Sequence, residues 1–367
     1  MKRLLNIVGT LNQGGAETFL MKVYDNLNTK KYQMDFCVMK KEKDLYEDDV
    51  IAKGGRVFHV IPKSENALRC FSEIRCIVKE NNYKYAMRVN EHSLSVIDLI
   101  AAKCGGARVL AMRSSNANSG NRKSEILHRM FSILPRVVPN VKMAPSDKAA
   151  EYTFGKKAVK AGAVAMLNNG IPVNKYLFNE ETRVKKRKEL GVTDQFVIGH
   201  VGRFYQQKNH GFLIDIFKEI TKRNSCAVLV LVGEGYLMDS CKQKVHNYGL
   251  KDRVKFLGSR NDVNELYSAF DVLLFPSLYE GMPNVVIESQ ASGLHCVISD
   301  TITKEADITG LVDYVSLEDD AEYWAAKVLQ YSNRYIREDT SEKFIKNGYD
   351  IQSVVDRFVE LVFQEEV

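Results

Sequence analysis

Two glutamates in the second half of the chain have a spacing that could hold hydroxyl groups on either side of an anion. Glu280 follows the short apolar run Val272–Phe275, and Glu288 lies eight positions further on, in a helical pattern. Pro283 suits the first position of that helix and Gly293 the residue just past its end. Free backbone N–H groups and a partial positive charge would then lie between the two carboxylates. The pattern suits a nucleotide-sugar, although an ordinary parallel-sheet unit with two incidental glutamates would look the same.

Two cations could supply the charge that such a ligand needs. Arg203 and Lys208 flank a loop between the apolar run Phe196–Val201 and a helix that starts near Asn209. A guanidinium and an ammonium at a strand end can clamp a diphosphate, one by its fork geometry and one as a point charge. The alternative is a pair of solvated surface cations.

Glycines follow three of the predicted strands. Gly14 and Gly15 come after the first strand and precede a helix, where backbone N–H groups can approach a phosphate or sugar. The pattern is not G-x-G-x-x-G, which weighs against a dinucleotide site and leaves a plain tight turn as the alternative. The segments 233–235 and 256–260 end two further strands and could place main chain near a ligand.

Alternating strand and helix patterns place these residues on two α/β domains. The strand candidates of the first half are Leu4–Val8, Met34–Met39, Arg56–Ile61, Tyr85–Val89, Arg108–Met112, Val141–Ala144 and Ala163–Leu167. Those of the second half are Phe196–Val201, Ala227–Val232, Val254–Leu257, Val272–Phe275 and His295–Ser299. Regular βα alternation predicts two doubly wound, Rossmann-like domains facing across a cleft, with ligands at the carboxyl ends of the strands.

The domain boundary is predicted after residue 168. Residues 1–168 form the first domain and 169–349 the second, with Thr182–Leu190 as a basic helical linker after the boundary. The last helical pattern, within 350–367, is expected to pack back on the first domain.

Composition indicates an ordinary globular protein with an uneven charge distribution. Of the 367 residues 45% are hydrophobic, and no apolar run reaches the length of a membrane span. Residues 1–167 have a net charge of +12 and residues 168–367 of −6, so the first domain favours anionic partners. Seven cysteines without C-x-x-C spacing suggest free, partly buried thiols and argue against zinc.

Taken together, these segments resemble the family 4 retaining glycosyltransferases of the GT-B fold, in the bacterial branch that builds capsular and exopolysaccharides. The matching segments, which span essentially the whole chain in the family's order, are Gly14-Gly15-Ala16-Glu17, Asn169-Gly170-Ile171, Val201-Gly202-Arg203 with Lys208, Gly233-Glu234-Gly235, Phe256-Leu257-Gly258, and Glu280-Gly281-Met282-Pro283-Asn284 with Glu288. The two spaced glutamates are the most specific of these motifs.

The resemblance implies a role for each matching residue. Arg203 and Lys208 would stabilise the departing diphosphate, Glu280 would contact the donor-sugar hydroxyls, and Glu288 those of the ribose. The other implied donor-binding residues are Gly14, Gly15, Gly202, Gly235, Arg260, Gly281, Met282, Pro283 and Asn284. The resemblance implies a nucleotide-sugar donor, with UDP as the expected nucleotide and GDP as the alternative, and a lipid-diphosphate-linked glycan as the acceptor. No cofactor or metal is expected, since the cations carry that role and no convincing D-x-D occurs.

One segment departs from the family pattern. Members often have histidines in the loop after the strand that ends here at Met112, where a histidine would touch the sugar near its reacting carbon. This chain has Arg113, Ser114, Ser115 and Asn116 instead. Whether Arg113, Ser115 or Asn116 takes that place, or His92 reaches it from the preceding strand end, is left open by the sequence.

A basic amphipathic pattern in the first half suggests a membrane surface. Residues 121–139 combine a wide apolar side with four arginines and lysines. Such a helix can lie on anionic lipid, although it could equally bury its apolar side in the domain. With the positive first half and a lipid-linked acceptor, the expectation is a cytoplasmic protein attached peripherally to the inner face of the cell membrane.

Other functions remain as alternatives. A nucleotide-sugar epimerase would need acid/base carboxylates and histidines beside the sugar, and a phosphorylase a pyridoxal-phosphate lysine; neither has a clear case. The departure of residues 113–116 from the family pattern motivates another alternative, in which the protein is a non-catalytic partner subunit of a glycosyltransferase. Nucleic-acid binding is disfavoured, because the basic half lacks interleaved aromatics and recognition motifs.

Overall fold

A computed structural model describes residues 1–12, 14–90, 93–115, 128, 130–280, 282–333 and 335–364. The chain divides into a first unit, Met1–Ile171 with Gly348–Val367, and a second unit, Pro172–Asn347. This division falls a few residues after the boundary suggested at 168. The reason is that Ile171 still pairs with Asp350 of the first unit.

Strands and helices alternate through both units. The strands are β1 (Lys2–Val8), β2 (Tyr32–Val38), β3 (Val57–His59), β4 (Tyr85–Asn90), β5 (Val109–Ser114), β6 (Val141–Ala144), β7 (Ala165–Met166), β8 (Phe196–Val201), β9 (Ala227–Val232), β10 (Val254–Phe256), β11 (Val272–Phe275), β12 (Cys296–Ser299) and β13 (Val312–Val315). The α-helices of the described residues are α1 (Gly15–Asn26), α2 (Glu47–Ala52), α3 (Lys63–Glu80), α4 (Val96–Gly105), α5 (Leu134–Val137), α6 (Asp147–Phe154), α7 (Lys156–Lys160), α8 (Glu180–Leu190), α9 (His210–Arg223), α10 (Met238–Asn247), α11 (Val263–Ala269), α12 (Asn284–Ala291), α13 (Ala321–Leu329), α14 (Ser341–Lys346) and α15 (Ile351–Phe363).

Each unit contains one parallel sheet. The order is β3-β2-β1-β4-β5-β6-β7 in the first and β10-β9-β8-β11-β12-β13 in the second. In both, the order reverses beside the first strand of the unit, which is where ligands bind in open α/β sheets. The strands predicted as Val141–Ala144, Phe196–Val201, Ala227–Val232 and Val272–Phe275 are confirmed to the residue. Strands buried on both faces read as continuous apolar runs, which makes them easy to locate.

The last helix contributes to the core of the first unit. The N-cap of α15 is Asp350, whose side chain accepts hydrogen bonds from the amides of Gln352 and Ser353. Its apolar side is buried in the core that also contains α1. The Phe363 ring lies 4.7 Å from that of Tyr32 and 5.2 Å from that of Tyr85, measured between centroids.

Two predictions about the second unit need correction. The segment predicted as a basic linker is α8, which packs on α11 as part of this unit. Arg183 and Arg187 donate to carbonyls at the C-terminal end of α11 and pair with Asp271, so their charges are used inside the fold. The edge strand β13 was missed, because a four-residue run with Asp313 in it has no clear apolar signal.

Two further expectations from the sequence concern the cysteines and membrane-spanning helices. All seven cysteines are free, and four of them are buried: Cys37, Cys70, Cys241 and Cys296. None of the helices in the described part of the chain is both long enough and apolar enough to cross a membrane.

Candidate functional site

The loop that follows β8 lies at the carboxyl edge of the second sheet and is held from both sides. The Gly202 amide donates to the Val232 carbonyl at the end of β9, at 2.9 Å. On the other side, the Leu278 amide donates to the Gln207 carbonyl at 2.8 Å, and the Gln207 side chain donates to the Tyr279 carbonyl at 2.9 Å. The loops carrying Arg203, Lys208 and Glu280 are thereby fixed as one surface.

Lys208 and Glu280, predicted to act on the same ligand, are in direct contact. The Lys208 Nζ lies 2.5 Å from Glu280 Oε1, and the two side chains are only 14% and 9% exposed. The ammonium also lies 4.6 Å from the centroid of the Phe275 ring. Partial burial strengthens this charge-assisted hydrogen bond relative to one at the surface.

Arg203 is placed differently from Lys208. Its side chain is exposed, and its guanidinium carbon lies 4.8 Å from the centroid of the Tyr205 ring. Within the described ranges no carboxylate pairs with it, so its donors are available to a ligand anion.

Gly235 is required by the packing of these loops, whatever it binds. Its φ is +156°, and a Cβ at this position would come within 2.6 Å of the Phe204 carbonyl oxygen. Gly233 is tighter still, because its Cβ would lie 2.1 Å from the Gly202 carbonyl oxygen. The loops after β8 and β9 can therefore touch only through glycine.

The second predicted glutamate lies on α12. Pro283 is the N-cap rather than the first helical residue, and Gly293, with φ +63°, follows the C-cap as predicted. Met282 is half-buried, Pro283 is buried and Asn284 is exposed, whereas Gly281 lies outside the described residues.

Two tyrosines that the sequence analysis missed hold Glu288. The Tyr267 hydroxyl donates to Glu288 Oε2 at 3.1 Å, and the Tyr176 hydroxyl interacts with the same carboxylate. Burial raises the pKa of both phenols, and the charge of Glu288 raises it further. The two tyrosine hydroxyls are therefore neutral donors that orient the Glu288 carboxylate.

Arg260, also predicted to bind the donor, has its guanidinium engaged elsewhere. It forms two hydrogen bonds with Asp262, at 2.7 and 2.6 Å, and one with Glu189 at 2.9 Å. These carboxylates raise its pKa above the ordinary value. The hydrogen bonds of the Arg260 guanidinium thus go to Asp262 and Glu189.

Two buried histidines beneath the β8 loop were also missed. His200 lies within β8, with Nδ1 2.9 Å from the Leu274 carbonyl oxygen, and His210 begins α9 with its ring stacked on Phe204. Burial lowers the pKa of both imidazoles, and the charge of Lys208 lowers it further; that of His210 falls to about 4. The sequence does contain one signal that could have drawn attention to His200, which is a histidine within an otherwise apolar strand.

In the first unit, the turn before Gly14 is fixed by one carboxylate. Asp44 accepts hydrogen bonds from the Thr10 hydroxyl at 2.8 Å, the Leu11 amide at 2.6 Å and the Asn12 side chain at 2.7 Å. Gly14 is the N-cap of α1 and Gly15 its first residue. The N-terminal turn of α1 is thus presented at the end of β1, where the sequence placed a phosphate or sugar contact.

Arg113 is not in a loop, as the sequence suggested, but in β5, which continues to Ser114. Its side chain is 2% exposed; the guanidinium lies 3.7 Å from the Phe19 ring centroid and donates to the Leu167 carbonyl at 3.1 Å and to Asn169 at 2.6 Å. Burial lowers its pKa to about 9. Stacking on the Phe19 ring and hydrogen bonds to oxygen acceptors allow this charged residue to lie inside the strand. A sequence pattern does not reveal such contacts.

Of the other candidates for the position of the missing histidine, only Ser115 lies within the described residues. Ser115 is half-buried just after β5, while His92 and Asn116 lie outside the described residues. Eight residues of the amphipathic segment 121–139, namely 121–127 and 129, also lie outside them. Its described part exposes Met130, Ile133 and Val137 at 68%, 62% and 67%.

Solved structures identify the fold. A glycosyltransferase from Rickettsia africae matches with a TM-score of 0.79 at 15% identity, covering 99% of this chain and 98% of its own. HepE from Anabaena, solved in complex with UDP, matches with a TM-score of 0.77 at 19% identity over the whole of both chains. The two parallel sheets with their helices are therefore a GT-B fold, as predicted.

Sequence relatives identify the family. The family described as "Glycosyl transferases group 1" matches residues 195–334. EpsF of Bacillus subtilis, provisionally named a glycosyltransferase, is 32% identical over 362 residues, 96% of this chain and 94% of its own. An Escherichia coli protein named UDP-Gal:alpha-D-GlcNAc-diphosphoundecaprenol alpha-1,3-galactosyltransferase is 31% identical over 289 residues, 74% of each chain. The protein belongs to the group 1, family 4-type glycosyltransferases.

Proposed function

We propose that this glycosyltransferase moves a hexosyl unit from a UDP-sugar to a lipid-diphosphate-linked glycan in capsule or exopolysaccharide synthesis, with retention of the anomeric configuration. The observation that carries the proposal is the contact between Lys208 and Glu280 at the sheet edge, with Arg203 nearby and without a carboxylate partner in the described ranges. The named substrate of the Escherichia coli relative and the UDP bound to HepE support the choice of acceptor and nucleotide.

The cations would carry the chemistry. The bond from the sugar C1 to the diphosphate breaks, C1 bonds to the acceptor oxygen on the same face, and the acceptor proton passes to the leaving phosphate. Arg203 and Lys208 would stabilise the charge developing on that phosphate, in positions fixed before the reaction. Glu280 would accept hydrogen bonds from the sugar hydroxyls, and Glu288 from the ribose. Neither glutamate is assigned as a general acid or base.

Transfer from a panel of UDP- and GDP-sugars to an undecaprenyl-diphosphate-linked sugar tests the proposal. We expect turnover with a UDP-hexose, an α-linked product by proton NMR, and unchanged turnover in EDTA. Inversion of the anomeric centre would contradict the retaining mechanism. Loss of activity in EDTA would contradict the metal-independent mechanism. An epimer formed without acceptor would favour the epimerase, and absence of any nucleotide binding would favour a non-catalytic partner subunit.

Glu288→Gln is expected to weaken UDP binding by about 10-fold or more, because hydrogen bonds to a charged group contribute about 1.5–3 kcal/mol. The amide keeps an acceptor for the buried Tyr267 hydroxyl, so stability should change little. Calorimetric titration with UDP measures the effect. Glu322→Gln is the matched control, because Glu322 is exposed on α13 and pairs only with Arg223 among the described residues. Equal UDP affinity in both variants would remove Glu288 from the ribose site.

We also propose that the first unit binds anionic lipid through the exposed apolar residues Met130, Ile133 and Val137. Positive charge adjoins them: the Arg136 guanidinium lies beside Gly155, and α7 follows directly with three lysines. Partial insertion of such side chains beside cations is how interfacial helices bind membranes.

Replacing Met130, Ile133 and Val137 with serine is expected to reduce binding to phosphatidylglycerol vesicles by about 10-fold or more. Binding of the unmodified protein should weaken at high salt and with phosphatidylcholine alone. Co-sedimentation measures both. Leu68→Ser, on α3 and 85% exposed, is the control. Equal binding by the triple variant and the control would place the lipid contact elsewhere.

A further inference from the structure

A row of four aromatic side chains adjoins the loop that carries Arg203 and Lys208, and one of the four, Phe204, belongs to that loop. The ring centroids are 4.0 Å apart for Phe204 and His210, 4.7 Å for His210 and His200, and 5.4 Å for His200 and Phe275. All four side chains are buried. The row ends at Phe275, over whose ring the Lys208 ammonium sits.

The tautomer of His200 follows from its hydrogen bond. Nδ1 lies 2.9 Å from the Leu274 carbonyl oxygen, which can only accept, so Nδ1 carries the hydrogen and Nε2 the lone pair. Nε2 is buried and has no hydrogen-bond partner among the residues that the structure describes. A buried acceptor of this kind calls for a physical explanation.

His200 Nε2 and the Lys208 side chain both lie next to Gly202. A Cβ placed on Gly202 would lie 3.1 Å from His200 Nε2 and 3.3 Å from both Cδ and Cε of Lys208. Any side chain at position 202 would therefore contact both the imidazole and the lysine side chain. The methylene next to an ammonium carries part of its positive charge, so a neutral imidazole with its lone pair on this side is a favourable neighbour.

We propose that His200 is a positioning residue for Lys208. The Leu274 carbonyl and the His210 ring fix its imidazole, and the imidazole in turn sets the place of the Lys208 side chain, and so of the ammonium that meets Glu280. The catalytic consequence rests on the proposed function, because it matters only if Lys208 stabilises a donor diphosphate. The geometric claim, that His200 holds Lys208, stands without it.

His200→Phe tests the proposal, because phenylalanine keeps the row of rings but removes both nitrogens. A displacement of about 1 Å at a catalytic group can cost about 100-fold, so we expect kcat/KM for the donor to fall by about 10- to 100-fold. In the K208A background the same substitution should change kcat/KM by less than about 2-fold. Effects of H200F that are equal in both backgrounds would show a general structural role and overturn the proposal.

A matched control and a second readout separate this inference from the proposed function. His295→Phe removes another stacked histidine, at the amino end of β12 beside Tyr331, and should leave kcat/KM unchanged. In the ligand-free protein, H200F should shift the ¹⁵N resonance of the Lys208 ammonium, assigned with K208R, whereas H295F should not. No turnover with any donor would overturn the proposed function alone. An unmoved Lys208 resonance in H200F would overturn the positioning role alone.

Discussion

Arg203→Ala is expected to slow transfer by about 10²–10³-fold, the loss seen when one preorganised donor to a developing oxyanion is removed. Its guanidinium is exposed and rests on the Tyr205 ring, so its removal leaves no buried group unpaired and should barely change the free energy of unfolding. Because the phosphate gains charge as the bond to the sugar breaks, kcat should fall more than the donor KM rises. Initial rates at varied donor concentration, with urea unfolding curves, measure the three quantities.

Two further substitutions serve as controls for the Arg203→Ala result. Arg223→Ala removes an exposed arginine from the far end of α9, where it pairs with Glu322, and should leave kcat unchanged. Arg203→Lys keeps the positive charge but loses the forked donor geometry of the guanidinium, so its kcat should lie between those of the wild type and Arg203→Ala. A raised KM with an unchanged kcat for Arg203→Ala would mean that Arg203 holds the donor equally in the ground and transition states. Normal turnover would place the diphosphate elsewhere.

Acid is expected to destabilise the second unit by about 3 kcal/mol between pH 6.5 and pH 4 through His210 alone. Burial, assisted by the charge of Lys208, lowers the pKa of His210 from 6.5 to about 4 in the folded chain. In this window the unfolded chain binds the proton and the folded chain does not, so stability falls as the pH falls. Well above pH 6.5 neither state is protonated at His210, so this residue contributes no pH dependence there. His200 shifts in the same direction and adds to the effect.

The pH window separates this effect from that of the carboxylates. Glu73, whose pKa is lowered by the hydrogen bond from the Ile61 amide, loses its stabilising contribution only below its unfolded value of 4.5. Urea midpoints at pH 7.5 and pH 5 therefore report mainly the histidines, with about 2 kcal/mol expected from His210 at pH 5.

His210→Phe should remove that part of the pH dependence. The phenylalanine ring can keep the stack on Phe204 while losing the titrating nitrogens. The variant should lose less stability than the wild type on moving from pH 7.5 to pH 5, whereas replacing His246, which is exposed on α10, should leave the wild-type slope. Parallel pH slopes for wild type and His210→Phe would show that the folded chain accepts the proton near pH 6.5.

Much of the architecture could be read from the sequence because parallel sheets buried on both faces use continuous apolar runs. The strand at Phe196–Val201 is one example. The site residues followed from the same reading: carboxyl ends of neighbouring parallel strands meet at one edge, so the loops with Lys208 and Glu280 had to be close. Weak edge strands such as β13, and a charged residue inside a strand such as Arg113, are invisible to this reading, because long-range pairing and stacking stabilise them.

The sequence by itself determined the α/β class, the family and the residues from which a nucleotide-sugar site can be built, since motif spacing and buried strands are local properties of the chain. Only the tertiary structure decided how those residues are held. It paired Lys208 with Glu280, placed Tyr176 and Tyr267 on Glu288, tied Arg260 to other carboxylates, and set His200 and His210 beneath the cationic loop. These contacts join residues tens of positions apart, and burial, which sets the charge states of the histidines and tyrosines, exists only once the chain has folded.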